Sequence, residues 1–229
     1  ELLSAYTDWK IKGIHLVIDE MQPDIIVIRH SSAGAPHMLA KMCQARVINA
    51  GDGMHAHPTQ ALLDMMTMRE KLGRLDGLKV SIIGDISHSR VARSNIIGLT
   101  TMGSSVRIYG PRTLLPPYAE SLGVEIASSM RDAVEDADVV MMLRVQRERL
   151  EDVLFPSLRE YAQRFGLGVK HLEKAKAGVL VMHPGPINRG VEMSPEVADG
   201  PYSVILEQVA NGVAVRMALL YLLLSPETK

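Results

Sequence analysis

Short apolar segments alternate with stretches of helical periodicity along this 229-residue chain, and this alternation limits the fold more than any other feature. The apolar segments predict strands at residues 24–28, 47–49, 79–84, 105–109, 138–143 and 179–182. Helical periodicity occupies residues 36–44, 58–72, 90–102, 129–137 and 156–165. Apolar strands separated by helices of this length form βαβ units, whose parallel sheets are covered by helices on both faces. The sequence therefore predicts an α/β protein.

The segment from Gly73 to Gly77 is the best domain boundary, because it ends a long helix and precedes a new strand. We predict two lobes, each a parallel sheet flanked by helices. Residues 1–72 would form part of the first domain plus the linking helix, and residues 73–203 the second domain. Residues 204–229 would form a C-terminal helix that packs back on the first domain, since its apolar residues surround most of its circumference. The first seventy residues contain only two clear strands, so we expect an incomplete first lobe.

Composition excludes several classes of protein. The net charge is -1 and the basic residues are scattered, which argues against a nucleic-acid partner or a membrane surface. Cys43 is the single cysteine, so neither an internal disulfide framework nor a multi-cysteine metal site is expected. The longest apolar run, near residues 217–224, is shorter than a bilayer requires, and no secretory signal opens the chain. We therefore expect a soluble cytoplasmic protein.

Arginine or histidine follows four of the predicted strands. Arg29 follows the first strand, Arg90 ends the segment after residues 79–84, Arg144 follows residues 138–143, and His183 follows residues 179–182. In open parallel sheets, ligands bind outside the carboxyl ends of the strands. Any one such arginine could be an ordinary solvated loop residue. Because the arginine fork binds carboxylate or phosphate in a bidentate way, the set predicts a small ligand with several negative charges.

The segment GDGMHAHPTQ suits an anion site at a helix start. Gly51 and Gly53 permit a tight turn, and the following proline suits the first turn of a helix. His57 and Gln60 could both face a ligand above the helix N-terminus, where free N–H groups favour an anion. Two alternatives are a metal site formed by Asp52, His55 and His57, which lacks a further strong ligand at metal-site spacing, and a capping loop with incidental histidines.

Other polar residues give weaker indications of a functional site. Gly84 ends a strand, but no G-x-G-x-x-G follows it, so a dinucleotide site is weakly indicated. Glu207 and Arg216 lie in the otherwise apolar last helix. For these two residues we expect an internal ion pair or a contact between subunits.

Four motifs in this order resemble the aspartate carbamoyltransferase family from about residue 24 to residue 224. They are GDGMHAHPTQALLD, VSIIGDISHSRVARSN, RVQRER and HPGP. HPTQ alone resembles the wider carbamoyltransferase superfamily, whereas RVQRER together with HPGP is typical of the aspartate branch. The resemblance implies a carbamoyltransferase fold with a carbamoyl phosphate-binding and an aspartate-binding domain. It also implies that an N-terminal part of the first domain is missing from this chain.

The resemblance implies one set of residues for carbamoyl phosphate. Arg29 and His57 would be catalytic and contact this substrate, with His57 polarising the carbamoyl oxygen. Gln60 would contact the carbamoyl amino group. The backbone carbonyls of Gly185 and Pro186 would bind the same amino group.

A second set would bind L-aspartate. Arg90 and Arg144 would hold its two carboxylates, with Gln146 in support. The family activity is carbamoyl transfer to the α-amine of aspartate, giving N-carbamoyl-L-aspartate for pyrimidine biosynthesis, with neither cofactor nor metal. The family also implies a homotrimer with active sites shared between subunits, possibly in a larger complex with a regulatory or pathway subunit.

Two family features have no counterpart in these residues. The family has a Ser-Thr-Arg-Thr phosphate-binding loop, and no such run is present. Its mobile lysine loop ends in K-G-E, whereas here Lys12-Gly13 is followed by Ile14. Two alternatives to the main prediction follow. One is a non-catalytic homologue that serves as a scaffold in a multienzyme assembly. The other is a carbamoyltransferase for another amino acid, against which RVQRER argues.

Overall fold

The computed structural model describes residues 20–117, 119–145 and 157–225. Within them the strands are β1 (Ile25–His30), β2 (Arg46–Asp52), β3 (Lys79–Ile83), β4 (Ser105–Tyr109), β5 (Glu125–Ile126), β6 (Val139–Met142) and β7 (Leu180–Met182). The α-helices are α1 (Ala35–Met42), α2 (Pro58–Leu72), α3 (Arg90–Thr101), α4 (Met130–Val134), α5 (Leu158–Phe165), α6 (Val169–Leu172), α7 (Pro195–Ala198) and α8 (Ile205–Leu224). Two short 3-10 helices cover Arg112–Leu114 and Ala119–Leu122.

The strands form two parallel sheets. In the first lobe β1 pairs with β2, and α1 connects them. In the second lobe the strand order is β5-β4-β3-β6-β7, and every pairing is parallel. The prediction of an α/β fold with two parallel sheets is confirmed. Strand β5 was not predicted, because two exposed residues at a sheet edge leave no apolar run in the sequence.

Helix α2 links the lobes and has the predicted bounds. Pro58 occupies its first turn, where a missing N–H costs nothing. The helix ends at Gly73, whose positive φ of 75° suits a residue without a side chain and whose N–H donates to the carbonyl of Arg69. Helix α2 packs against α3 and α8. It therefore joins both lobes to the C-terminal helix.

Helix α8 is apolar on much of its exposed surface. By length and composition alone it could cross a membrane, a property that it shares with core helices of soluble proteins. Three of its polar side chains instead bond to α2: Glu207 to Lys71, Gln208 to Asp64, and Asn211 to Thr67. These bonds pack one face of α8 against α2, while most of its apolar circumference stays exposed in the described structure. The exposed apolar side chains of α8 include Leu206, Val209, Val213, Met217 and Tyr221.

Candidate functional site

The predicted arginines and histidines lie at the carboxyl ends of their strands. Arg29 is the last residue but one of β1, and Arg144 is the second residue after β6. His183 directly follows β7, and Arg90 is the first residue of α3, which the turn after β3 reaches. This is the edge at which open parallel sheets bind ligands.

Asp52 organises the turn between β2 and α2. Its fully buried carboxylate accepts hydrogen bonds from the N–H of Gly34 at 2.7 Å and from Nδ2 of Asn49 at 2.8 Å, and it lies 2.9 Å from Nδ1 of His55. Burial alone would raise the pKa of Asp52, but these hydrogen bonds outweigh burial and lower it. A charged, fully bonded carboxylate therefore holds the glycine turn that delivers His57.

His57 is the N-cap residue of α2 and remains neutral at physiological pH. Burial, followed by the positive charges of Arg90, Arg29 and Arg216, lowers its pKa to about 4. Its Nδ1 lies 3.3 Å from Oγ1 of Thr59. When the hydroxyl donates to Nδ1, the ring proton is on Nε2, which can then donate to a substrate oxygen.

Arg90 crosses from the second lobe to the turn of the first. Its Nη1 donates to the carbonyl of Gly53 at 3.3 Å, although the side chain originates in α3. A Cβ atom at Gly51 would lie 2.8 Å from Nε of Arg90, so only glycine leaves room for the guanidinium there. The N–H of His57 also donates to Oγ of Ser94 in α3 at 2.8 Å. Two contacts therefore connect the lobes at this turn.

The HPGP loop after β7 is rigidly held. The N–H of His183 donates to Oε1 of Gln208 at 2.9 Å, and Nδ1 of His183 accepts from the N–H of Gly185 at 2.9 Å. The peptide bond between Gly185 and Pro186 is cis. Both of these residues are exposed, so their carbonyls are accessible to a ligand.

Arg144 lies beside His183. Burial and the charge of Arg144 lower the pKa of His183 to about 4. The N–H of Val145 donates to Oε1 of Glu192 at 2.9 Å, which fixes the backbone directly after Arg144. Glu192 is fully buried and also accepts from the N–H of Asn188, which follows the HPGP loop. One carboxylate thus bonds to the backbone directly after Arg144 and to the backbone that follows the HPGP loop.

The structure brings the predicted residues together in two groups. The positive charges of Arg90 and Arg29 lower the pKa of His57, and Gln60 is on the first turn of α2, the helix that His57 caps. Arg144 is grouped with His183, Gly185 and Pro186. Gln146, the remaining predicted residue, lies outside the described residues.

Arg216 stands out in the sequence of the last helix, but its charge near His57 was not predicted. Glu207 forms an ion pair as expected, and its partner is Lys71, whose Nζ lies 2.8 Å from Glu207 Oε1. Arg216 instead contributes a positive charge near His57. An arginine in an apolar helix was the available signal, but only the packing of α8 on α2 reveals which residue it faces.

The alternative metal site at this turn finds no support in the geometry. His55 bonds to Asp52, whereas His57 is surrounded by arginines, which repel a cation. In the described parts of the chain, no three His, Cys, Asp or Glu side chains are grouped as metal ligands would be. The electrostatics of the turn favour an anion.

Comparison with known proteins agrees with this geometry. Residues 3–70 match the family model "Aspartate/ornithine carbamoyltransferase, carbamoyl-P binding domain", and residues 76–223 match "Aspartate/ornithine carbamoyltransferase, Asp/Orn binding domain". The aspartate carbamoyltransferase catalytic subunit of Syntrophus aciditrophicus is 62% identical over 96% of this chain, which covers 74% of that protein. The catalytic subunit of Desulforapulum autotrophicum is 59% identical, again over 96% of this chain and over 72% of its own length.

Solved structures show the same relationship. Ornithine carbamoyltransferase from Pyrococcus furiosus superimposes with a TM-score of 0.79 and 28% identity, covering 92% of this chain and 69% of that one. Aspartate transcarbamoylase from Trypanosoma cruzi, in complex with carbamoyl aspartate and phosphate, gives 0.75 and 27%, covering 93% and 67%. Together with the two family models, these matches show that the chain belongs to the aspartate/ornithine carbamoyltransferase family.

Proposed function

We propose that this chain is an aspartate carbamoyltransferase catalytic chain. It transfers the carbamoyl group of carbamoyl phosphate to the α-amine of L-aspartate and releases N-carbamoyl-L-aspartate and phosphate. The observation that carries the proposal is the meeting of Arg90, from the aspartate-binding domain, with the turn before His57, from the carbamoyl phosphate-binding domain. Each domain supplies cationic or donor groups to one junction, as two anionic substrates require.

Carbamoyl phosphate would bind at the first-lobe side of this junction. Arg29 would bind phosphate oxygens, and the neutral ring of His57 would donate a hydrogen bond to the carbamoyl oxygen. Gln60 and the carbonyls of Gly185 and Pro186 would receive the carbamoyl amino group. The lowered pKa of His57 supports a donor that is not consumed by protonation.

L-Aspartate would bind on the second-lobe side. Arg90 and Arg144 would hold its two carboxylates through charge-assisted hydrogen bonds, with Gln146 in support. Two guanidinium groups originating from separate strand ends define both the charge and the spacing of a dicarboxylate. This arrangement disfavours ornithine, whose side chain ends in a cation.

The reaction follows from positioning and electrostatics. The neutral α-amine attacks the carbamoyl carbon, a C–N bond forms, and the carbonyl π electrons move to oxygen. His57 donates to that oxyanion. The oxyanion collapses, the C–O bond to phosphate breaks, and the departing phosphate can take the proton that the amine loses. Holding the two reactants in attack geometry can supply about 7–11 kcal/mol of the barrier reduction.

Replacing Arg90 tests the aspartate assignment. Arg90→Ala removes a charge-assisted contact of about 1.5–3 kcal/mol, so kcat/KM for aspartate should fall by about 10–150-fold. The KM for carbamoyl phosphate should change far less. Arg93→Ala is the matched control, because Arg93 is on the same helix and exposed. Unchanged aspartate kinetics in Arg90→Ala would refute the assignment.

Substrate competition separates the remaining alternatives. Aspartate, ornithine and acetylornithine should be assayed with carbamoyl phosphate, and only aspartate should be carbamoylated. Turnover with ornithine or acetylornithine would favour a carbamoyltransferase for another amino acid. Absence of all turnover would favour the scaffold homologue.

The biological setting is also part of the proposal. The family resemblance implies pyrimidine biosynthesis in the cytoplasm and a homotrimer with shared active sites, without nucleic-acid or membrane partners. Sedimentation at several protein concentrations tests the trimer. We further propose that the domain boundary follows Leu72, with α8 belonging to the first domain; the packing of α8 against α2 and β1 supports this division.

A further inference from the structure

One buried carboxylate in α2 collects three side-chain amides from three different helices. Asp64 Oδ1 accepts from Nε2 of Gln60 at 3.0 Å and from Nε2 of Gln208 at 2.8 Å, while Oδ2 accepts from Nδ2 of Asn95 at 2.8 Å. Asp64 and Asn95 are 0% exposed, Gln208 is 3% and Gln60 is 8%. Burying a carboxylate is unfavourable, and the three donors offset that penalty.

The carboxylate determines which way each amide points. An ionised carboxylate can only accept hydrogen bonds, so each neighbouring amide must turn its NH2 group towards Asp64. The carbonyl oxygen of each amide therefore points away from Asp64. For Gln208 this oxygen accepts from the N–H of His183 at 2.9 Å. For Gln60, which is on the first turn of α2, this oxygen is the end of the amide that Asp64 does not bind.

A continuous path of hydrogen bonds thus joins two parts of the proposed carbamoyl site. The path runs from Gln60 to Asp64, to Gln208, to the backbone of His183, and from Nδ1 of His183 to the N–H of Gly185. Gln60 is at one end and the HPGP loop is at the other. Asn95 is a side branch, because its other bond goes to Val91 within its own helix.

We propose that Asp64 is a positioning residue that gives the site its selectivity for an amide: it orients Gln60 as a hydrogen-bond acceptor and fixes the HPGP loop, so that both acceptors meet the carbamoyl NH2 group. This inference rests on the proposed function. A carbamoyl group offers two N–H donors where an acetyl group offers a methyl. A site with two fixed acceptors leaves both unsatisfied when a methyl occupies that position.

The test uses two stable ligands that differ only at this group. Phosphonoacetamide carries the NH2 group, and 2-oxopropylphosphonate carries a methyl in its place. Isothermal titration calorimetry gives the ratio of their dissociation constants without requiring turnover. The parent chain should prefer the amide ligand, and Asp64→Ala should reduce that preference about fivefold to tenfold, the effect of one misplaced hydrogen bond.

Asn95→Ala is the matched control. It removes one of the three amides that donate to Asp64, and this amide is connected to no group that we propose to contact the substrate. Both variants should lower the melting temperature, whereas only Asp64→Ala should change the ligand ratio. Asp64→Asn should restore the ratio to within about twofold, because its Oδ1 can still accept from Gln60 and Gln208 while Asn95 turns its unbonded Oδ1 towards the new NH2.

If Asp64→Ala fails to fold, Gln208→Ala tests the proposal in its place. It keeps Asp64 paired with Gln60 and Asn95 but removes the bond to His183, and it should also lower the amide preference. An unchanged ratio in whichever of these two variants folds overturns the inference. Turnover of carbamoyl phosphate without any amide preference in the parent overturns this inference alone. Absence of both turnover and ligand binding overturns the proposed function as well.

Discussion

Within the described residues, the two lobes differ in how many apolar side chains they bury. The five-stranded sheet of the second lobe lies between two large buried clusters, one containing Ile82 and Met141 and the other Ile83 and Val140. The two-stranded sheet of the first lobe packs on α1, where Ala35 and Leu39 are the buried members of the cluster. Arg90 and Arg144 are therefore attached to a well-packed frame. His57 and Gln60 depend instead on the packing of α2 between α3 and α8.

Core truncations provide the largest test of this difference. Ile82 in β3 is fully buried in the second-lobe core, so Ile82→Ala should destabilise the chain by about 2–5 kcal/mol. Leu39→Ala should fall at the low end of this range, since its neighbours are only partly buried and can collapse into the space. Urea denaturation with amide hydrogen exchange measures both. Global loss of protection in Leu39→Ala would contradict the proposed difference between the lobes.

Acid should weaken the frame around the HPGP loop. His183 is 1% exposed and its folded pKa is about 4, below the ordinary value of 6.5. As pH falls from 6.5 to 4, the unfolded chain takes up this proton before the folded one, so stability falls by roughly 2–4 kcal/mol. Urea denaturation at pH 7.5, 6 and 4.5 measures this loss.

His183→Asn is the control for that prediction, because its oxygen can accept from Gly185 without titrating. Asp64 changes stability with pH in the opposite direction. Burial raises the pKa of Asp64 to about 6, so its contribution to stability rises as pH falls from 6 to 3.8. Only the difference between parent and His183→Asn isolates the histidine. Parallel pH curves for the two proteins would contradict the assignment.

Glycine substitutions sharpen the comparison at the contact between the lobes. Gly51 and Gly73 both have positive φ, 118° and 75°, so alanine at either should cost about 1–2 kcal/mol in stability. A Cβ at Gly51 would displace Arg90, whereas a Cβ at Gly73 meets nothing within 4 Å. Steady-state kinetics should therefore show a raised KM for aspartate in Gly51→Ala only. Equal KM values in both variants would exclude this role of the contact with Arg90.

The smallest expected effect concerns the ion pair between α2 and α8. Lys71 and Glu207 are 39% and 44% exposed, so their coupling should be about 0.2–1 kcal/mol. A double-mutant cycle with Lys71→Ala and Glu207→Ala measures it, and added salt should reduce it. A coupling energy well above this range would mean that this exposed ion pair contributes more to the stability of the first lobe than its buried hydrogen bonds suggest.

The sequence predicted the regular elements and the placement of arginine and histidine at strand ends better than it predicted long-range polar contacts. Helix α2 has its predicted bounds because Pro58 and Gly73 are strong local signals. Strand β2 continues past its predicted end at Asn49 to Asp52, because its pairing with β1 extends as far as the pair His30 and Asp52. The contact of Asp64 with Gln208 and the charge of Arg216 near His57 were not predicted, because each connects residues more than a hundred positions apart and no local pattern encodes such a partner.

The bonds between α2 and α8 have a consequence for synthesis of the chain. Gln208, which bonds to both Asp64 and the backbone of His183, is translated after His57, Arg90 and Arg144. A nascent chain that already contains His57, Arg90 and Arg144 still lacks the side chain that connects Asp64 to the backbone of His183. The order of translation therefore leaves the pocket unfinished until Gln208 has emerged from the ribosome.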